Sequence, residues 1–190
     1  MGCGKSSVGR KLSQLLCCPF ADLDSVIEDR CGCTIPEIFA SRGEAEFRRI
    51  EKEVLEDIIR NYEKQTPGQS LILALGGGAV MTPECEKMVH EQTTCIYLKA
   101  SIDELVTRLT GEAAGRPLLE ASDLHTRILE LMLQRSETYE RVAHLTIDTD
   151  DKSIGEIAKE IFTTLILIFP PHQPDQYSTP TGPIRPEFLS

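Results

Sequence analysis

The sequence predicts an α/β fold, a doubly wound parallel sheet, on three observations. Short apolar strand candidates alternate with helical patterns along the chain. A glycine-rich segment, MGCGKSS at residues 1–7, runs straight into a helix. The continuous apolar run LILAL (71–75) stops at Gly76, Gly77 and Gly78, as a strand covered on both faces does on entering a tight loop.

Each element follows from its own pattern. Val8, Leu12, Leu15 and Leu16 recur at helical spacing, which predicts a helix from Lys5 to Leu16. PFADLD (19–24) reads as a brief buried strand and its exit; under a period of two, Asp22 and Asp24 point the same way. TIPE at Thr34 is a capping-box pattern, with Pro36 in the first turn and Glu37 three residues on. Ile35, Ile38 and Phe39 give that helix an apolar side, and Gly43 fits its end. A second helix is expected from about Glu44 to Tyr62. CIYLKA (95–100) and HLTID (144–148) are strands, and Ser101 with Glu104 and Ser153 with Glu156 are further capping boxes. TGEAAGRPLLEAS (110–122) has no periodicity and is expected to be a mobile loop, followed by a helix from about Asp123 to Ala143. Residues 1–169 thus form one domain, and the proline-rich polar stretch 170–190 is expected to be a disordered tail.

Composition narrows the function. With 190 residues and a formal charge of −10, the chain lacks the clustered cations of a nucleic-acid surface. Its longest apolar run, LILIF (165–169), is too short to span a bilayer. Seven cysteines, including Cys17-Cys18 and Cys31-Gly-Cys33, match no zinc spacing and fit reduced thiols in a cytoplasmic protein. The four histidines are scattered, so no structural metal is expected.

Charges on apolar helix faces are the most informative signal. Phe47, Ile50, Val54, Leu55, Ile58, Ile59 and Tyr62 define an apolar arc. Glu51 falls near its middle and Arg48 toward its edge, one turn apart and within mutual reach. On the later helix, Leu124, Ile128, Leu131, Tyr139 and Val142 face inward around Arg135. An inward charge costs several kcal/mol, on the order of a desolvation penalty, unless it is paired. Structural ion pairing explains one such arginine; two in an acidic chain with a glycine-rich phosphate motif point to an anion site. Glu51 then orients Arg48. Asp24 either caps the helix beginning SVIEDR or, at a strand end, faces a ligand. Three glycines after a core strand form a turn or let backbone amides approach a ligand closely. Arg116, before a proline, is a solvated loop charge or faces transferring phosphates.

In order along the chain, MGCGKSS, DLD, RGEAEFRRIE, LGGGAV, GRPLL and RSETY resemble the shikimate kinase family, from Met1 to about Phe169. The resemblance implies a P-loop kinase fold, ATP and Mg²⁺ as cofactors, and a monomer phosphorylating shikimate. It places Gly2, Cys3, Gly4, Lys5, Ser6 and Ser7 at the ATP phosphates, Arg108 near the adenine, and Ser6 and Asp22 at Mg²⁺. Asp24, Arg48, Gly76, Gly77, Gly78 and Arg135 are implied to hold shikimate, and Arg116 to close a lid at about 110–122 over the transferred group. Lys5, Asp24 and Arg116 are the implied catalytic groups. A gluconate-type P-loop kinase and a non-catalytic relative are the alternatives. In the family a hydrophobic strand and a first glycine precede the loop; here neither is present, and the central strand of the sheet is expected to be missing. The expected result is a gap in the core flanked by two strands with unpaired edges.

Overall fold

The computed structural model describes residues 3–112 and 121–169. Gly2, Arg116, the centre of the expected lid and the expected tail from Pro170 lie outside the described residues. Among the described residues strands and helices alternate, except that α3 follows α2 and α6 follows α5 directly. The first half holds α1 (Lys5–Leu16), β1 (Phe20–Asp22), α2 (Leu23–Cys31), α3 (Ile35–Gln65) and β2 (Ile72–Ala74). The second holds α4 (Pro83–Gln92), β3 (Ile96–Lys99), α5 (Ile102–Glu112), α6 (Ala121–Val142), β4 (Leu145–Asp148) and α7 (Ile154–Ile168).

All strand pairing is parallel, but among the described residues it makes two two-stranded sheets rather than one. β1 pairs with β2, Phe20 opposite Ile72 and Asp22 opposite Ala74. β3 pairs with β4, Ile96 opposite Leu145 and Lys99 opposite Asp148. Between the sheets lies an apolar cavity of about 830 Å³, bordered by Leu73 and Ala74 on one side and Ile96 and Leu98 on the other. This is the core gap expected from the sequence. Helix α1 bridges it: Val8 and Leu12 pack with Ile157 and Ile161 of α7, and Leu98 and Ile147 complete that cluster. A second cluster joins Leu23 and Ile27 of α2, Ile38, Val54 and Leu55 of α3, and Val89 of α4.

Several boundaries differ from the sequence reading. The strand in PFADLD ends at Asp22, and Leu23 and Asp24 already belong to α2. Asp22, not Asp24, is the cap, its Oδ1 accepting from the Asp24 amide at 3.1 Å. The two carboxylates are therefore neighbours through a helix start, not through strand alternation. α3 is broken at Gly43 (φ 80°, ψ 169°), as that glycine's expected role at a helix end requires. The Thr34 and Ser153 amides donate to Glu37 and Glu156 at 2.8 and 2.9 Å, as the capping boxes predict. At Ser101 half a box forms: its Oγ accepts from the Glu104 amide at 3.2 Å. Its own amide donates instead to Asp150, because the Glu104 carboxylate is taken by Arg108. Helices α5 and α6 extend into both ends of the segment read as a loop. Helix α4 went unread; Thr82 caps it, with proline in its first turn.

Candidate active site

The site starts at the first turn of α1. Gly4, its cap, has φ 76°, a left-handed conformation that a side chain would strain. The carbonyl of Gly4 accepts from the Val8 amide at 2.8 Å, which sets the helix running. Lys5 and Ser6 are its first two residues, and Ser7, next along, is exposed. Ser6 Oγ donates to Asp22 Oδ2 at 2.5 Å, so Asp22 ties the start of α1 to the start of α2. Lys5 Nζ lies 3.7 Å from Cys3 Sγ. Cys3 packs beside Ala100 and Leu105, which seats the glycine-rich segment against the start of α5.

Asp24, in the first turn of α2, is half-buried. Burial raises its pKa above the usual carboxylate value, and the Asp22 charge adds to this, against the opposing pull of Lys5 and Arg48. On α3, Arg48 Nη1 and Glu51 Oε2 meet at 2.6 Å. Glu51 is only 3% exposed, and its other oxygen, Oε1, has no partner among the described residues. Burial raises the Glu51 pKa, with the Arg48 ion pair opposing it. The turn after β2 gathers these groups. A Cβ on Gly76 would stand 2.9 Å from Asp24 Oδ1 and 3.2 Å from Glu51 Oε1. One on Gly77 would stand 3.3 Å from both Arg135 Nη1 and the Tyr139 hydroxyl. At Gly78 the space is filled by the Arg48 guanidinium. Close approach marks all three glycines: α2, α3 and α6 each press a polar side chain against one turn. The Tyr139 hydroxyl fixes that turn by donating to the Gly77 carbonyl at 2.5 Å.

Arg135, by contrast, carries no ion pair among the described residues. Its charge lies close enough to act on Glu51. Arg48, Arg135 and Asp24 therefore converge, and the charge of Lys5 acts on Asp24. Arg108, on α5, reaches elsewhere, to the residue just after β4. Its Nε pairs with Glu104 at 2.8 Å, and its Nη2 donates to the carbonyl of the fully buried Thr149 at 2.7 Å. Two contributors escaped the sequence reading. Tyr139 was placed only on the apolar face, although its position one turn after Arg135 aims both at the same turn. Thr149 was not singled out, although the resemblance implies that residues after Asp148 complete the adenine pocket beside Arg108.

Ser6 and Asp22 offer two hard oxygen donors already in contact beside a lysine. That set fits Mg²⁺, which takes one or two protein oxygens and fills its remaining positions with water and phosphate. No group of three or more His, Cys, Asp or Glu side chains that could hold a metal by themselves occurs among the described residues.

A family model described as shikimate kinase matches residues 1–166. The shikimate kinase of Thioalkalivibrio sulfidiphilus is 40% identical over 161 residues, covering 85% of this chain and 80% of that one. That of Bordetella pertussis is 40% identical over 165 residues, covering 87% and 74%. In three dimensions the chain is similar to a shikimate kinase from Acinetobacter baumannii in complex with shikimate. The TM-score is 0.76 and the identity 32%, over 89% of this chain and 90% of that one. A shikimate kinase from Aquifex aeolicus matches at TM-score 0.69 and 30% identity, over 87% and 90%. In sequence and in shape, then, the chain belongs to the shikimate kinase family, a family of kinases.

Proposed function

We propose that the chain transfers the γ-phosphoryl group of ATP to the 3-hydroxyl of shikimate, a step toward chorismate and the aromatic amino acids. The observation that carries this is Arg135, with no ion pair among the described residues, meeting Arg48 and Asp24 on the Gly76–Gly78 turn, beside Lys5. Two guanidinium groups suit the one carboxylate of a small hydroxylated ring, since the planar fork donates two parallel hydrogen bonds. Asp24 accepts a hydrogen bond from the ring hydroxyl and orients it. Its raised pKa also makes it a better proton acceptor than an ordinary aspartate. Transfer through a loose transition state depends mainly on positioning and charge neutralisation. Lys5 supplies positive charge at the phosphates, and the amides of Cys3, Gly4, Ser6 and Ser7 line the helix N-terminus that favours anions. Gly2 and Arg116 join this assignment from sequence, Arg116 as the arginine that closes over the transferring group. Arg108, anchored by Thr149, borders the nucleotide base.

Ser6 and Asp22 would hold Mg²⁺, which when bound bridges phosphate oxygens and offsets their charge. Seven free cysteines fit the reducing cytoplasm, and a monomer acting on one small molecule completes the reading. Among the described residues no helix is long and apolar enough to cross a membrane.

The test is shikimate-dependent ADP release, with gluconate as the competing acceptor. Turnover with shikimate alone, cut on the order of 100-fold or more by Arg135→Ala, is the expected result. Equal turnover with gluconate would assign a gluconate-type kinase. Tight shikimate binding with no ADP release under any condition would assign a non-catalytic ligand-binding relative.

A further inference from the structure

Cys31, Gly32 and Cys33 lie where two helices of the site join. α2 carries Asp24 in its first turn and ends at Cys31, and α3 begins at Ile35 and carries Arg48 and Glu51. Both ends of the joint are tied to one residue. The Glu28 carbonyl accepts from the Gly32 amide at 2.8 Å, and the Glu28 carboxylate accepts from the Ile35 amide at 2.9 Å. Gly32 is exposed and left-handed, with φ 66° and ψ 20°. That conformation mirrors a helical one, so it holds the flanking Cα atoms about 5.4 Å apart, the spacing of residues i and i+2 in a helix. Disulfides span Cα separations of about 4.4–6.8 Å. Both thiols are free and half-buried, and both pack against the apolar cluster of Leu23 and Ile27, so they turn to the same side. The other close pair in sequence fails on both counts. Adjacent residues stand only about 3.8 Å apart, and Cys17 Sγ turns to the Gln14 carbonyl while Cys18 meets the backbone of Ile72.

We propose that Cys31 and Cys33 form a modification site for small disulfides of the glutathione class, closing reversibly to a disulfide that weakens the hold on shikimate. One sulfur attacks the small disulfide, which forms a mixed disulfide and releases one thiol. The second sulfur then displaces the other thiol. Two S–H bonds of the chain become one S–S bond, and both protons and both electrons leave on the released thiols. Disulfides that form in a reducing compartment are usually transient and redox-sensing. A ring this small is strained, and strained, exposed disulfides are the readily reduced ones. Closure draws the sulfurs to about 2 Å from each other, so at least one of them leaves its packing against Leu23 and Ile27. The disturbance falls on the helix that sets Asp24 opposite Arg48. The effect on shikimate rests on the proposed function; the formation of the disulfide does not.

The full chain is equilibrated with mixtures of reduced and oxidised glutathione, quenched with acid, alkylated and mapped by peptide mass. The expected product is a disulfide between Cys31 and Cys33 that grows with the oxidised share and vanishes with excess dithiothreitol. Cys17 and Cys18 should stay open to alkylation. Shikimate affinity, measured by titration calorimetry, is expected to fall about 5-fold or more on oxidation, the low end of coupling between two sites. Cys31→Ser and Cys33→Ser should each bind shikimate as the reduced parent does and ignore the oxidant. Glutathione adducts that never close, or a disulfide that links two copies of the chain, overturn the proposal. So does a closed disulfide that leaves shikimate affinity unchanged. A reduced chain that binds no shikimate refutes the proposed function instead, and amide exchange without ligand then decides. The disulfide should speed exchange at Asp24 and Ser25 by about 5-fold or more through local opening and leave α7, in the other cluster, unchanged. Equal exchange in both states overturns the proposal.

Discussion

At the scale of single residues, the site stores charge where charge is expensive. Asp24 has a folded-state pKa above its ordinary value of 3.8. Between the two values the folded chain binds more protons than the unfolded one, so its stability falls as pH rises through that window and the cost persists above it. Asp24→Asn removes the cost. The variant is expected to melt at a higher temperature than the parent at neutral pH, with the difference vanishing at pH below 3.8. Its shikimate-dependent ADP release is expected to fall about 100-fold or more, the range for a lost acid–base group. Thermal melts across pH, run without ligand, check the first half and a coupled assay the second. Arg48 and Glu51 are tied more tightly. Arg48→Ala leaves a nearly inaccessible carboxylate without its partner and is expected to destabilise by about 3 kcal/mol. Adding Glu51→Gln should restore much of that loss. A denaturant double-mutant cycle measures the coupling, and strict additivity would contradict it.

At the scale of elements, the sequence announced most of what formed, and the failures have physical causes. Helix α3 was legible because its apolar arc runs from Phe47 to Tyr62, interrupted only by Glu51, and Gly43 marks the break before it. Gly43 adopts a combination of φ and ψ that is nearly closed to other residues, and no atom lies within 4 Å of an added Cβ. Gly43→Ala should therefore cost about 1–3 kcal/mol through backbone strain alone, measured by chemical denaturation. Helix α4 was missed because its apolar face is short, Cys85, Met88 and Val89, between charged neighbours. The start of α2 was misplaced because Asp22 is at once the last residue of a strand and the cap of the next helix. Of the site, Arg48, Glu51 and Arg135 were legible as charges on apolar faces, since burial must be compensated. Tyr139 was not, since a tyrosine on such a face satisfies ordinary packing. Thr149 lay in the stretch after Asp148 implied for the adenine pocket, but its hydrogen bond from Arg108 joins residues 41 apart and leaves no local mark.

At the scale of the whole molecule, the divided sheet sets the cooperativity. One half packs around α2, α3 and α4, and the other around α1 and α7, with α1 also lying against β2. No backbone ladder joins the halves among the described residues. Heating is expected to melt them separately, with a calorimetric enthalpy larger than the van't Hoff value. One sharp transition with equal enthalpies would show that the helices alone lock the halves together. The turn that unites the site has a further use. The chain contains no tryptophan, so its near-ultraviolet emission comes from tyrosine. Tyr139 touches the glycine turn, and its ring centroid lies 5.4 Å from that of Tyr97. A ligand settling on that turn disturbs a native fluorophore, and the occupancy of the cleft can be followed by light without attaching any label.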